Sequence, residues 1–293
     1  MRKAFAESIL ERASDPRSYF LTVDVGFMAL ENVRDAFGSR FVNAGVAEQN
    51  LIGVAAGLAR EGFNVFAYSI ASFLYTRPFE QIRNDLCFSN LPVCLVGNGG
   101  GYAYGHMGPA HHALEDCAAM SALGVRVHVP AFDEDVGEIL KNLQGPAYLR
   151  LGFDARPAGW SVPRYAPWRR ILEGSNGVLV ALGPLAGVAL AALADLEHEK
   201  RPTLWAVCEL GEDIVPEEFL NSARDRDLHV LEEHVVQGGL GMQLAHLLLR
   251  KGIHPSRLHH RYALGYPTGT YGSQEFHRKQ CGLDVESVRN LFA

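Results

Sequence analysis

Short apolar runs alternate with longer, helically spaced segments through the first half of the chain. Runs at 19–23 (YFLTV), 40–44 (RFVNA), 64–68 (NVFAY), 92–96 (PVCLV), 125–129 (VRVHV) and 147–151 (AYLRL) read as strands. Helical patterns fall between them, near 29–37, 47–60, 78–88, 113–122 and 133–143. Several of these intervals are long enough for a helical crossover, so most of the sheet should be parallel. The pattern predicts an α/β layered domain with helices on both faces.

Residues 152–173 change character. Gly152, Pro157, Gly159, Pro163 and Pro167 interrupt any period, and Arg164, Arg169 and Arg170 add charge. The segment reads as a linker. A second alternation follows, with strands at 178–182, 203–208, 228–231 and 258–264 and helices near 186–199, 239–251, 273–280 and 284–292. The expectation is two doubly wound, mostly parallel α/β domains, 1–151 and 174–293. The 293 residues suit two domains of ordinary size and bury enough surface to fold without disulfides or metal.

Composition narrows the function. Apolar residues make up 48% and charged residues 20%, which excludes a disordered chain. A net charge of −6 argues against nucleic acid as a partner. Cysteines 87, 94, 117, 208 and 281 form no CxxC pair and read as buried thiols in a reducing cytoplasm. The opening MRKAFAESILERA turns charged and amphipathic at once and is no signal peptide. The most apolar run, 177–193, is shorter than a membrane span and is broken by Gly183, Pro184 and Gly187. A strand, a turn and a helix explain it, and no membrane partner is expected.

Two segments carry candidate chemistry. In AGVAEQNLIGVAAGLAREG (44–62), Leu51, Val54, Ala55 and Leu58 form a helical apolar stripe, and Glu48 projects along it. One reading is a first-turn Glu facing the helix dipole. The other is a buried acid with a raised pKa, poised to share a proton with a ligand. Gly53, Ala55, Ala56, Gly57 and Ala59 suit close packing against another helix or subunit. In GNGGGYAYGHMGPAHHALED (97–116), glycines follow a strand, where they can cradle phosphate, but the spacing is not GxGxxG. His106, His111 and His112 cluster there. They can be surface or capping residues, a metal site, or a substrate-facing histidine at the carboxyl edge of the sheet. Adjacent His111 and His112 diverge, which counts against a metal.

Together with SIASFLYTRPFEQIRND, SNLPVCLVG, GPAHHALED and YLRLG in order, the 44–62 segment resembles the transketolase family over most of residues 19–151. VLEEHVVQGGLG (230–241) and a closing Gly-Leu-Asp (282–284) resemble that family's last domain. A whole transketolase also has an earlier domain whose Gly-Asp-Gly motif and downstream Asn hold diphosphate and Mg²⁺, and no GDG occurs here. The resemblance therefore implies the second subunit of a split enzyme, with thiamine diphosphate as cofactor. It implies Mg²⁺ ligands on an N-terminal, diphosphate-binding partner subunit, and an α2β2 assembly.

Residue by residue, Glu48 matches the acid that hydrogen-bonds the aminopyrimidine ring nitrogen and favours the imino tautomer that takes the C2 proton. Phe73 matches the aromatic stacked on that ring, and Asp24 and Val25 match an Asp and the apolar wedge that bends the cofactor. His111 matches the loop histidine that meets the donor carbonyl, and Arg150 an arginine that meets a substrate phosphate. An ordinary core Phe and a strand-end Arg are the plain alternatives for Phe73 and Arg150. The departures concern the donor. Met107 stands where the family's Asp meets a donor hydroxyl, Met28 where a Ser contacts phosphate, and Gly99 where a His opens the glycine loop. A thioether is a poor acceptor, so the substitutions point away from a standard phosphoketose and toward a 2-oxo acid or a modified sugar. Three other functions stay open: the β subunit of a 2-oxo acid dehydrogenase, a non-catalytic binding subunit, and a nucleotide-binding oxidoreductase. The last lacks a well-placed ribose-binding acid.

Overall fold

The computed structural model describes residues 1–26, 28–266 and 271–292. Its first sheet takes β1 (Ser18–Thr22), β2 (Phe41–Asn43), β3 (Asn64–Ile70), β4 (Val93–Asn98), β5 (Arg126–His128) and β6 (Ala147–Leu151). The second takes β7 (Trp168–Leu172), β8 (Val178–Leu182), β9 (Thr203–Val207), β11 (Asp227–Leu231) and β12 (Arg257–Arg261). The two-residue β10 (Glu209–Leu210) crosses back to the first, giving the orders β10-β5-β6-β4-β3-β1-β2 and β12-β11-β8-β9-β7. All pairings are parallel except β10 on β5 and β7 on β9. The α/β, mostly parallel reading holds. The central strands β4, β6 and β8 are buried at every residue, which explains their mostly apolar runs; the polar exceptions, Asn98 and Arg150, fall near the carboxyl ends of β4 and β6.

Four features differ from the sequence reading. The segment read as a linker ends in β7, whose Trp168, Ile171 and Leu172 are buried while prolines hide the strand pattern upstream. The run read as one strand at 203–208 divides at Cys208, whose N–H donates to Pro167 O and whose carbonyl accepts from Val129 N–H. There the chain passes from one sheet to the other. Residues Arg2–Ala13 form a helix, anchored by buried Phe5 and Ile9, where the charged pattern gave only amphipathicity. The helix Glu48–Arg60 buries Leu51, Ile52, Ala55, Ala56 and Ala59, so its inner stripe is rotated from the predicted one. Val54 faces outward, and open space lies over Gly53 and Gly57.

Local chemistry sets the ends of the late helices. Ser273 Oγ accepts from Phe276 N–H to start Gln274–Cys281, and Gly282, at φ +67°, ends it. Asp284 caps Val285–Arg289 through the N–H groups of Glu286 and Ser287. No helix among the described residues is long and apolar enough to cross a membrane.

Candidate cofactor and substrate site

The carboxyl ends of β1 to β4 lie along one edge of the first sheet, where open parallel sheets place their ligands. Asp24 and Val25 follow β1, Glu48 follows β2, Phe73 follows β3 and His111 follows β4. Glu48 opens its helix behind Ala47, which has no capping side chain. Its carboxylate thus sits at the positive end of the helix dipole, and it is only 4% exposed.

One partner meets that buried charge. Arg77 Nη1 donates to Glu48 Oε1 at 2.6 Å, and the Arg77 guanidinium carbon lies 3.8 Å from the centroid of the Phe73 ring. The Arg77 side chain is 41% exposed, so the pair joins a buried acid to a half-exposed base. Gln49 Nε2 donates to Arg77 O at 3.3 Å and ties the two segments together. The Phe73 and His111 rings meet edge to face at 5.0 Å. His111 Nδ1 is buried without a hydrogen-bond partner. Burial first, and the Arg77 charge second, lower the His111 pKa from its ordinary value.

Glu48, Phe73 and His111 are thus linked through Arg77, a residue the sequence reading did not single out. Its signal was its spacing: Arg77 lies one helical turn beyond Phe73, where i and i+4 side chains meet. Asp24 and Val25 form a separate patch on the same edge. Asp24, at φ +53°, exchanges hydrogen bonds with the Asn43 side chain, at 2.8 Å through its N–H and 3.3 Å through Oδ1. Exposed Met28, at φ +60°, turns the chain just beyond.

The glycine loop is shaped by its neighbours. Gly99 sits at φ +82°, and a Cβ there would fall 2.1 Å from the Tyr104 ring. Gly99 thus leaves room for the Tyr104 ring, whose hydroxyl accepts from Asn98 Nδ2 at 2.5 Å. Met107 is 57% exposed on the turn before His111. Glu233, from the second sheet's side, accepts from Tyr102 N–H at 2.6 Å, from Gln274 Nε2 at 2.8 Å and from Arg278 Nε. A Cβ on Gly101 would lie 2.3 Å from Glu233 Oε1, so this contact requires glycine there.

Arg150 lies inside the protein. It is 4% exposed on the doubly covered strand β6. Nε donates to Asp116 Oδ2 at 2.8 Å, and Nη2 to Ala113 O at 2.7 Å and Glu233 O at 3.0 Å. Its charge is matched inside the protein by Asp116, itself fully buried, and the half-exposed cation beside His111 is Arg77 instead.

A buried carboxylate, a phenyl face and a histidine on a glycine loop thus meet around one guanidinium at the carboxyl edge of the first sheet. The family described as "Transketolase, pyrimidine binding domain" matches residues 1–151, and the chain belongs to the transketolase family. It is 30% identical over 275 residues to one of the subunits of the apulose-4-phosphate transketolase of Actinobacillus succinogenes, covering 87% of this chain and 84% of that protein. It is 29% identical to a putative transketolase C-terminal section of Methanocaldococcus jannaschii, over 98% of this chain and 93% of that protein. A solved split-gene transketolase in an inactive β4 tetramer superposes with a TM-score of 0.85 at 31% identity, covering 99% of this chain and 95% of that one.

Proposed function

We propose that this chain is the pyrimidine-gripping subunit of a split, thiamine-diphosphate-dependent transferase of two-carbon units. In this reading residues 1–151 form the pyrimidine-binding domain and 174–293 a C-terminal domain. The observation that carries it is the Arg77 guanidinium between Glu48 and Phe73. A guanidinium is flat, donates N–H bonds and stacks on aromatic faces. An aminopyrimidine shares that shape and those contacts, so the residues present fit the cofactor. The two groups cannot take the slot together, and Arg77, half-exposed, is the one free to leave.

When bound, thiamine diphosphate supplies a carbon nucleophile from its thiazolium ring. Glu48 would hold a proton between its Oε1 and the ring nitrogen, a role that suits a carboxylate removed from water. Phe73 would offer the stacking face, and Asp24 and Val25 would border the cofactor along the edge. His111, whose pKa burial lowers, would donate or accept at the donor's carbonyl oxygen. Arg77, once displaced, is the cation available to an anionic group of the substrate beside His111. In this reading Arg150, engaged with Asp116 and two carbonyl groups, stays out of the substrate contacts, and Gly99 serves to admit the Tyr104 ring. Met107 and Met28 still favour a donor other than the standard phosphoketoses. The Actinobacillus relative, named for apulose 4-phosphate, supports a ketose outside that standard set.

No residue of this chain is assigned to diphosphate or Mg²⁺, which fall to a partner subunit carrying a Gly-Asp-Gly motif and a downstream Asn. The exposed face with Val46, Gly53, Val54 and Gly57 is a surface that would pack in the assembled enzyme, an α2β2 heterotetramer. The composition fits a cytoplasmic setting. The test is reconstitution with such a partner. Calorimetry should give weak or no thiamine diphosphate binding to this chain alone and tight, Mg²⁺-dependent binding to the mixture. A coupled assay with xylulose 5-phosphate, fructose 6-phosphate, pyruvate and unphosphorylated ketoses side by side then ranks the donors. Tight binding by the isolated chain would refute the split arrangement.

A further inference from the structure

Adjacent strands in the second sheet bring three metal-ligating side chains together, away from the cofactor slot. β11 and β12 run parallel in a register that sets His229 beside His259 and Asp227 beside Arg257. Asp227 and His229 are two apart on one strand, so they share a face. The ligand atoms of Asp227, His229 and His259 all lie within 4.8 Å of one another. We propose that Asp227, His229 and His259 form a binding site for one late first-row divalent cation, zinc or a close neighbour.

The ligand set suits such an ion. Imidazole nitrogens and one carboxylate favour zinc, copper and nickel over the hard, oxygen-seeking magnesium and calcium. His229 supplies a second, independent observation. It is only 7% exposed and leaves its side-chain Nδ1 buried without a hydrogen-bond partner. Buried polar groups are ordinarily hydrogen-bonded, and an exception calls for an explanation such as an ion. Its ring is fixed by stacking on His259 at 4.4 Å and by Phe292 at 4.7 Å. The other two ligands are adaptable. His259 is 42% exposed with its Nε2 3.7 Å from Asp227 Oδ2, and Asp227 is 44% exposed. Tetrahedral coordination with bonds near 2.0–2.1 Å places ligand atoms about 3.4 Å apart. To close to that spacing, the half-exposed His259 ring would turn out of its stack on His229. Arg261, and Arg257 opposite Asp227 on β12, oppose a cation, and Asp227 supplies a negative charge that offsets them. Three protein ligands leave room for water, so the ion would tie the edge strand β12 to β11.

The buried trio Asp116, Cys117 and His234 does not compete as a site. Asp116 already accepts from Arg150 and Tyr148, and burial together with Asp116 pushes the Cys117 thiol well above its ordinary pKa.

Equilibrium dialysis of the full chain against zinc, and separately cobalt, at neutral pH tests the proposal. Wild type should bind one equivalent, and zinc should raise its unfolding midpoint. His259→Ala and Asp227→Asn, both at half-exposed positions, should each weaken binding at least about tenfold and abolish the zinc-dependent rise. His198→Ala, at an exposed histidine outside the trio, should bind as wild type. Absence of stoichiometric binding by wild type overturns the proposal. So does binding that survives both His259→Ala and Asp227→Asn, because the ion then sits elsewhere.

Discussion

Removing Arg77 should reveal how strongly the chain's own guanidinium holds the cofactor slot. Arg77 Nη1 lies 2.6 Å from Glu48 Oε1, and the cation sits 3.8 Å above Phe73. A hydrogen bond to a charged group contributes about 1.5–3 kcal/mol when desolvated, whereas exposed ion pairs contribute about 0.2–1 kcal/mol. The pair spans both regimes, since the Glu48 side chain is 4% exposed and that of Arg77 41%. Its coupling should therefore fall between them, at about 1–2 kcal/mol. Arg77→Ala also strands a buried carboxylate and gives up a cation–π contact of about 0.5–1 kcal/mol, so it should destabilise more than Glu48→Gln. Urea unfolding of wild type, Arg77→Ala, Glu48→Gln and the double variant closes a double-mutant cycle. A coupling energy below about 0.3 kcal/mol, the scatter of independent sites, would show that Arg77 is an ordinary surface arginine and remove it as the cofactor's stand-in.

Three further outcomes are expected. Arg77→Ala should raise the His111 pKa toward its ordinary value, because the Arg77 charge helps to lower it; an NMR titration that shows no rise would contradict the proximity. Burial, with Arg126, lowers His128 to about 4 from 6.5, so the folded state resists its protonation. The stability this gives is complete above about pH 6.5 and is lost as pH falls toward 4, up to about 3 kcal/mol. His128→Gln should flatten the acid limb of a denaturation profile over that window, and an unchanged limb would reject the assignment. Glu232 is fully buried and accepts from Leu240 N–H at 2.7 Å, Gly241 N–H at 3.0 Å and His260 Nε2 at 2.6 Å. Glu232→Ala leaves these donors unpaired at a cost of about 2–5 kcal/mol. Its thermal unfolding midpoint should fall by several degrees, and an unchanged midpoint would show that the cap is dispensable.

Most of the sheet architecture was legible because β4, β6 and β8 are buried on both faces and are therefore mostly apolar. β7 was hidden because a strand entered through Pro163 and Pro167 shares its local signals with a linker. β10 was hidden because two residues are too few to carry a period. Within the site, Glu48 was legible because a lone acid on an apolar helix is costly unless paired. Arg77 was not, because pattern alone does not separate a solvated arginine from one folded back onto a ring. The burial of Arg150 was not legible for a related reason: its partner Asp116 is 34 positions away, and only the fold brings the charges together. The roles of Gly99 and Gly101 likewise depend on Tyr104 and Glu233, which no local rule connects to them.

The central claim, that Glu48 is the acid that works on the cofactor's pyrimidine, is tested most directly by hydrogen–deuterium exchange at C2 of thiamine diphosphate, followed by NMR. The chain is first reconstituted with its diphosphate-binding partner and Mg²⁺. Wild type should accelerate the exchange, and Glu48→Gln, with unchanged assembly and cofactor binding, should slow it by at least about 100-fold, the scale of a lost general acid–base group. Exchange in Glu48→Gln as fast as in wild type would contradict the account.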